Sequence, residues 1–242
     1  MSHVIPVFAN FLDVPPVQKW QQKSVQTPKI EEKKLPWLKD RTISAALSEL
    51  DNISFPEKDL MYLKNMGVNP PFKNGAEVID FIKKSNVRIR FAKTSSKHIH
   101  AQYDYEKNTI YINDLYKNSQ DFPVILAIAE AILHEAGHAK DNDSDSSVQE
   151  ELDFLGMNAV AHRAFLKKYG DIFSESDELI VKDGVIVYSE LFFDPDPDKE
   201  KLVERMKKKY GYLPDGDYLH PPSKLAKKIK YTDFSQLTTA EN

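Results

Sequence analysis

Between Asp121 and Lys140 the chain reads DFPVILAIAEAILHEAGHAK. Asp121 suits an N-cap, Pro123 suits the first turn, and the apolar positions that follow nearly encircle a helix of 3.6-residue period. A helix apolar on almost every side has no face to give to water, so the rest of the fold has to be wrapped around it. Three polar residues near its far end, His134, Glu135 and His138, are thereby carried into the interior.

The segments available for the wrapping can be read from their periods. TISAALSEL, from Thr42, predicts a short helix. Ser54-Phe55-Pro56-Glu57 has the Ser-x-x-Glu form of a capping box and predicts a helix with Leu60, Leu63 and Met66 on one face, ended by Gly67. AEVIDFIKK (76–84) is a further amphipathic helix. The period then turns to alternation in VRIRF (87–91), HIHAQYDY (98–105) and TIYIN (109–113), three predicted strands, with Glu106-Lys107-Asn108 as the turn between the last two. After the long helix, the polar run DNDSDSS breaks the pattern. A second long helix follows over 148–168, with Leu152, Leu155, Ala159 and Leu166 as its inner stripe. ELIVKDGVIVYSELFF carries Asp183-Gly184 between two β-branched runs, a hairpin signal. The reading is an α+β domain over 41–195, preceded by a Pro-rich extended tail over 1–40 (Pro6, Pro15, Pro16, Pro28, Pro36). A basic helix and tail over 196–242 follow the Asp194-Pro195-Asp196-Pro197 connector.

Composition narrows the chemistry. The chain of 242 residues has a net charge of −4 and no cysteine. An acidic balance argues against nucleic acid as the main partner, and the short C-terminal run of Lys224, Lys227, Lys228 and Lys230 reads as a solvated face. Without thiolates, any zinc has to sit on His, Asp or Glu. The N-terminal residues lack the basic segment and apolar run of a Sec signal. No stretch is expected to approach the roughly 20 apolar residues of a membrane span. A cytoplasmic location follows as the expectation, with secretion by a non-Sec route as its alternative.

HEAGH is where the chemistry concentrates. Residues four apart on a helix project from one face, so His134 and His138 can offer nitrogens to one metal ion. Glu135 lies close enough to that side to work as a base on a water rather than as a ligand. Ala136 and Gly137 are small, as a crowded helix would need. A catalytic zinc takes three protein ligands, and the acidic candidates for the third are Glu150 and Glu151 at the start of the next helix, whose phase the sequence leaves open, and Glu190 farther on. His162, three helical turns after Glu151, reads as a satisfied core histidine or as a support to the site. Asp141, Asp143 and Asp145 have the spacing that opens an EF-hand, but Ser146 and Leu152 stand where its glycine and glutamate belong, so a calcium site is not expected.

Residues 98–160 resemble the zincin metallopeptidases: a strand pair, an H-E-x-x-H helix, and a second helix bearing an acidic ligand. The nearest resemblance is to the ImmA/IrrE-like gluzincins, in which H-E-[LA]-G-H precedes a segment of the form E-x-E-A-[DN]-x-x-A. QEELDFLG (149–156) matches that segment loosely, with leucine at the first alanine and glycine at the last. The resemblance implies a zincin-like fold, a small, mostly antiparallel sheet packed on the buried H-E-x-x-H helix and on the second helix. It implies Zn²⁺ on His134, His138 and Glu151, Glu135 as the general base, and Asp153 holding a ligand histidine by its far nitrogen. TIYIN would be the edge strand that receives an extended peptide, and Tyr188 a candidate to steady an oxyanion. The expected activity is hydrolysis of peptide or protein substrates. The alternative is a regulatory zincin-fold protein dedicated to one partner, since the ImmA/IrrE-like group includes such regulators. No nucleic-acid or membrane partner is expected.

Overall fold

The structure, a computed structural model, describes residues 40–94, 97, 99–141, 147–182, 184 and 192–193. The expectations for the Pro-rich tail, the basic C-terminal helix, His98, Asp143, Asp145, Tyr188 and Glu190 lie outside these residues.

Helix α1 (Arg41–Asp51) starts where Asp40 turns its carboxylate onto the backbone N–H groups of Thr42 and Ile43. Helix α2 spans Glu57–Asn65, and here the capping-box expectation fails. Pro56 is the N-cap and makes no side-chain cap, while Ser54 pairs with Asn74 in an isolated bridge. The cause is local: a residue before proline is pushed out of the α region. Phe55 therefore cannot be the first helical residue, and Ser54 cannot be the cap. Gly67 then takes positive φ (76°) and lets Val68 N–H return to Leu63 O, closing the helix end. Helix α3 (Gly75–Lys84) is capped by the Asn74 side chain on Glu77 N–H.

The sheet contains β1 (Arg88–Ala92), β2 (Ala101–Asp104) and β3 (Thr109–Asn113) in the order β1-β3-β2. β1 runs parallel to β3, with Ile89 beside Ile110, and β2 runs antiparallel to it, with Tyr103 beside Ile110. Two expectations are thereby corrected. The sheet is mixed rather than mostly antiparallel, and TIYIN is its central strand rather than an edge. Burial explains the second: Thr109, Ile110, Ile112 and Asn113 are all buried, so β3 is covered on both faces and both edges, which an alternating edge strand would not be.

Helix α4 (Phe122–Asp141) is the element on which most of the fold converges. It packs against α1, α3, β2, β3 and α5 (Val148–Tyr169). By length and composition it could cross a membrane, contrary to the expectation that no stretch would come near that, yet 89% of its most apolar window is buried inside the fold. The paired residues on α4 and α5 run in opposite order, His138 with Glu150 and Glu130 with His162, so the two helices lie antiparallel. Beyond α5, residues 179–182 form a helical turn where the first arm of a hairpin was expected. The remainder of that hairpin, from Asp183 on, is described only at Gly184. Phe192 is fully buried beside Gly156, and Phe193 stacks on Tyr62 with centroids 5.5 Å apart.

Candidate metal centre

His134 and His138 sit one turn apart on the last third of α4, with ring centroids 5.1 Å apart. Glu151, in the first turn of α5, faces both. One carboxylate oxygen lies 3.4 Å from His134 Nε2 and the other lies 3.4 Å from His138 Nε2. That distance is informative. A charge-assisted N–H···O bond is about 2.7–2.9 Å, so these contacts are too long to be good ones. Ligands bound at about 2.0–2.1 Å around a tetrahedral ion sit about 3.3–3.4 Å from one another. Both separations are those expected between ligands of one ion rather than between bonded partners, and the candidate ligand atoms of the three side chains all lie within 4.8 Å of one another. Consistent with this, Glu151 Oε2, which faces His134 Nε2, is buried with no hydrogen-bond partner, an expensive state for a polar atom unless something else satisfies it. Among the described residues these three form a group able to hold a metal ion.

The acidic candidates now separate. Glu151 faces the two Nε2 atoms. Glu150, its rival for third ligand, turns the other way and accepts from His138 Nδ1 at 2.6 Å. The role expected of Asp153, holding a histidine's far nitrogen, therefore belongs to Glu150. Asp153 instead accepts from Asn69 N–H and Gln149 Nε2, each at 2.8 Å, and Gln149 also donates to Gly67 O. Lys140 donates to Pro71 O and lies over the Phe72 ring. The 67–73 loop is thereby tied to the end of α4 and the start of α5, holding the two ligand-bearing segments together from outside.

Electrostatics reinforce the geometry. Burial alone would push the His138 pKa down, but the Glu151 and Glu150 carboxylates outweigh it and raise it to about 10. Burial pushes the Glu151 carboxyl up, yet His138 and His134 bring it well below the usual carboxylate range. Two carboxylates around one buried imidazole create a point that strongly favours positive charge, whether a proton or a metal ion supplies it.

Two features here were missed in the sequence. Phe154 sets its ring edge-on to both imidazoles, at centroid distances of 4.7 Å to His138 and 5.8 Å to His134. It lies where a Gly137 side chain would be, since a Cβ there would meet Phe154 ring carbons at 2.6–2.9 Å. The glycine of HEAGH is the space into which Phe154 fits. The other is the N-cap of α5: Ser147 and Glu150 form a full capping box. The Ser-x-x-Glu signal stood in the sequence at 147–150 as plainly as at 54–57.

Glu135 is buried on α4 and supplies no ligand atom to the group. His162 is a satisfied core histidine: Nδ1 lies 2.9 Å from Glu130 Oε1, and its ring stacks on Phe173 with centroids 4.3 Å apart. Burial pushes the Glu130 carboxyl up, against the pull of His162. Comparison with family models, with curated proteins and with solved structures finds no match for this chain.

Proposed function

We propose that the chain is a zinc metallopeptidase of the zincin type, similar in its ligand order to the ImmA/IrrE-like gluzincins, acting on peptide or protein substrates. The observation that carries the reading is the His134–His138–Glu151 group, with both 3.4 Å separations and with the unpartnered, buried Glu151 Oε2. The donor set supports it: two imidazoles and one carboxylate are the ligand complement of hydrolytic zinc sites that keep a position open.

Zinc on these residues would supply a Lewis acid that polarises a scissile carbonyl and makes a water acidic near neutral pH. The chain's own residues do the rest. Glu135, next to His134 on the same helix, takes the proton from the attacking water and passes it to the leaving amine. Phe154 keeps the back of the site dry and the imidazoles in place. Of the two edge strands, β2 is the one packed substantially against α4. It takes the role expected of TIYIN, pairing with an extended peptide backbone by the edge that carries no further strand among the described residues.

The test is metal content by mass spectrometry on purified protein, wild type beside Glu151→Ala. A single zinc per chain, lost in the variant, is expected. A wild type that holds no zinc even after it is added back sinks the reading. Glu135→Gln should keep the metal and lose hydrolysis of casein or a peptide library. A variant that still cleaves removes Glu135 from its role. A wild type that binds zinc but ignores both substrates directs attention to a single dedicated partner.

A further inference from the structure

We infer that Glu150 is a positioning residue of this centre, one side chain that sets both a ligand and the helix bearing the next ligand. Its Oε1 lies 2.6 Å from His138 Nδ1, while its Oε2 accepts from the backbone N–H of Ser147 at 3.3 Å. Ser147 Oγ completes the capping box on Glu150 N–H at 3.0 Å. The carboxylate is almost wholly inaccessible. Glu151 is the next residue, so its direction of emergence is fixed by the same cap. Both atoms that Glu150 serves are donors: Ser147 N–H always, and His138 Nδ1–H whenever Nε2 is engaged by a metal. The two donors reach different oxygens of the carboxylate, so both ends of the side chain must accept, which glutamate does and glutamine, with an NH2 at one end, does not. The chain thus ties the orientation of His138 to the first turn of α5 through the Glu150 carboxylate, whose two bonds persist when the Ser147 hydroxyl is removed. The inference rests on the metal-centre reading, and the experiment separates the two.

Full-length wild type, Glu150→Ala, Glu150→Gln, Ser147→Ala and Glu151→Ala are titrated with Co²⁺, reading affinity by competition and ligand geometry from the visible absorption band. Glu150→Ala should weaken affinity roughly 10- to 100-fold, with an unchanged band at saturation because the ligands are unchanged. Glu151→Ala should alter the band itself. Ser147→Ala, which weakens the cap but leaves the His138 bond, should lower the melting temperature while affinity stays within about threefold of wild type. Glu150→Gln should fall between wild type and Glu150→Ala, and it decides the matter if Glu150→Ala does not fold. Wild-type affinity in the Glu150 variants overturns the inference. So does an equal loss in Ser147→Ala, which would reduce Glu150 to a helix cap. A wild type that binds no cobalt fails before any variant is compared, and brings down the metal-centre reading and the inference together.

Discussion

Replacing Gly137 by alanine puts local propensity and packing in direct opposition. In a helix interior, alanine is better than glycine by about 1 kcal/mol, so propensity alone makes Gly137→Ala stabilising. The structure argues otherwise. The new Cβ would stand 2.6, 2.8 and 2.9 Å from three ring carbons of Phe154, where carbon contacts are comfortable at about 3.5–4.0 Å. The ring would have to retreat by about 1 Å, and it is buried against both imidazoles. Overpacking of this kind costs about 1–3 kcal/mol, so the metal-free variant should be destabilised by up to about 2 kcal/mol once the propensity gain is subtracted. Metal binding should suffer more. Ligand separations tolerate only about ±0.2 Å, and a ring displacement several times larger is transmitted to His134 and His138. Urea denaturation of the metal-free protein and zinc competition measure the two effects. Phe154→Leu in the same chain should restore part of both, with a coupling that a double-mutant cycle detects. A Gly137→Ala protein that is more stable than wild type and binds zinc equally well would refute the packing argument.

Two further outcomes follow from the same region. His138 has its pKa raised from 6.5 to about 10 and Glu151 has its own lowered. The stabilisation in the metal-free protein is therefore fully present below about pH 6.5 and lost as pH rises through about 10; on the acid side it declines as pH falls below the ordinary carboxylate range. These are one interaction seen from two ends, on the order of a few kcal/mol and not to be added. Metal-free stability should peak in mildly acidic solution, whereas a flat profile from pH 6 to 9.5 would count against it. Asp153→Ala leaves Asn69 N–H and Gln149 without their shared acceptor and should cost about 1–3 kcal/mol in urea denaturation. It should also loosen the 67–73 loop and weaken zinc binding, and an unchanged metal affinity would show that this loop does not set the ligand spacing.

What the sequence disclosed was whatever depends on short-range order. The apolar encirclement of α4, the helical period of α1, α3 and α5, the Glu106–Asn108 turn and the i, i+4 histidines were all readable, because each is a property of one continuous stretch of chain. Strand order was not. Nothing in TIYIN states that β1 will lie parallel on one side of it and β2 antiparallel on the other. The choice between Glu150 and Glu151 turns on about 100° of helix phase, which the position of the N-cap decides; of the two Ser-x-x-Glu segments, 54–57 and 147–150, only the second forms a capping box. A proline two residues after Ser54 was the discriminating sign. Phe154 was visible only as one more apolar residue on a helix, since its partner Gly137 lies on a different element.

Phe192 carries a consequence for where this protein can be cut. Its ring is fully buried, close to where a Gly156 Cβ would be, with Val68 and Leu63 on the same spot. Phe193 beside it lies under the Arg163 guanidinium, 4.2 Å from ring centroid to charge centre. The cooperative unit therefore does not end with α5. A fragment trimmed after Lys182 would expose a phenylalanine-sized hole beside Leu63, Val68 and Gly156 and would be expected to melt early. The shortest piece suited to metal titration or crystallisation has to run past residue 193.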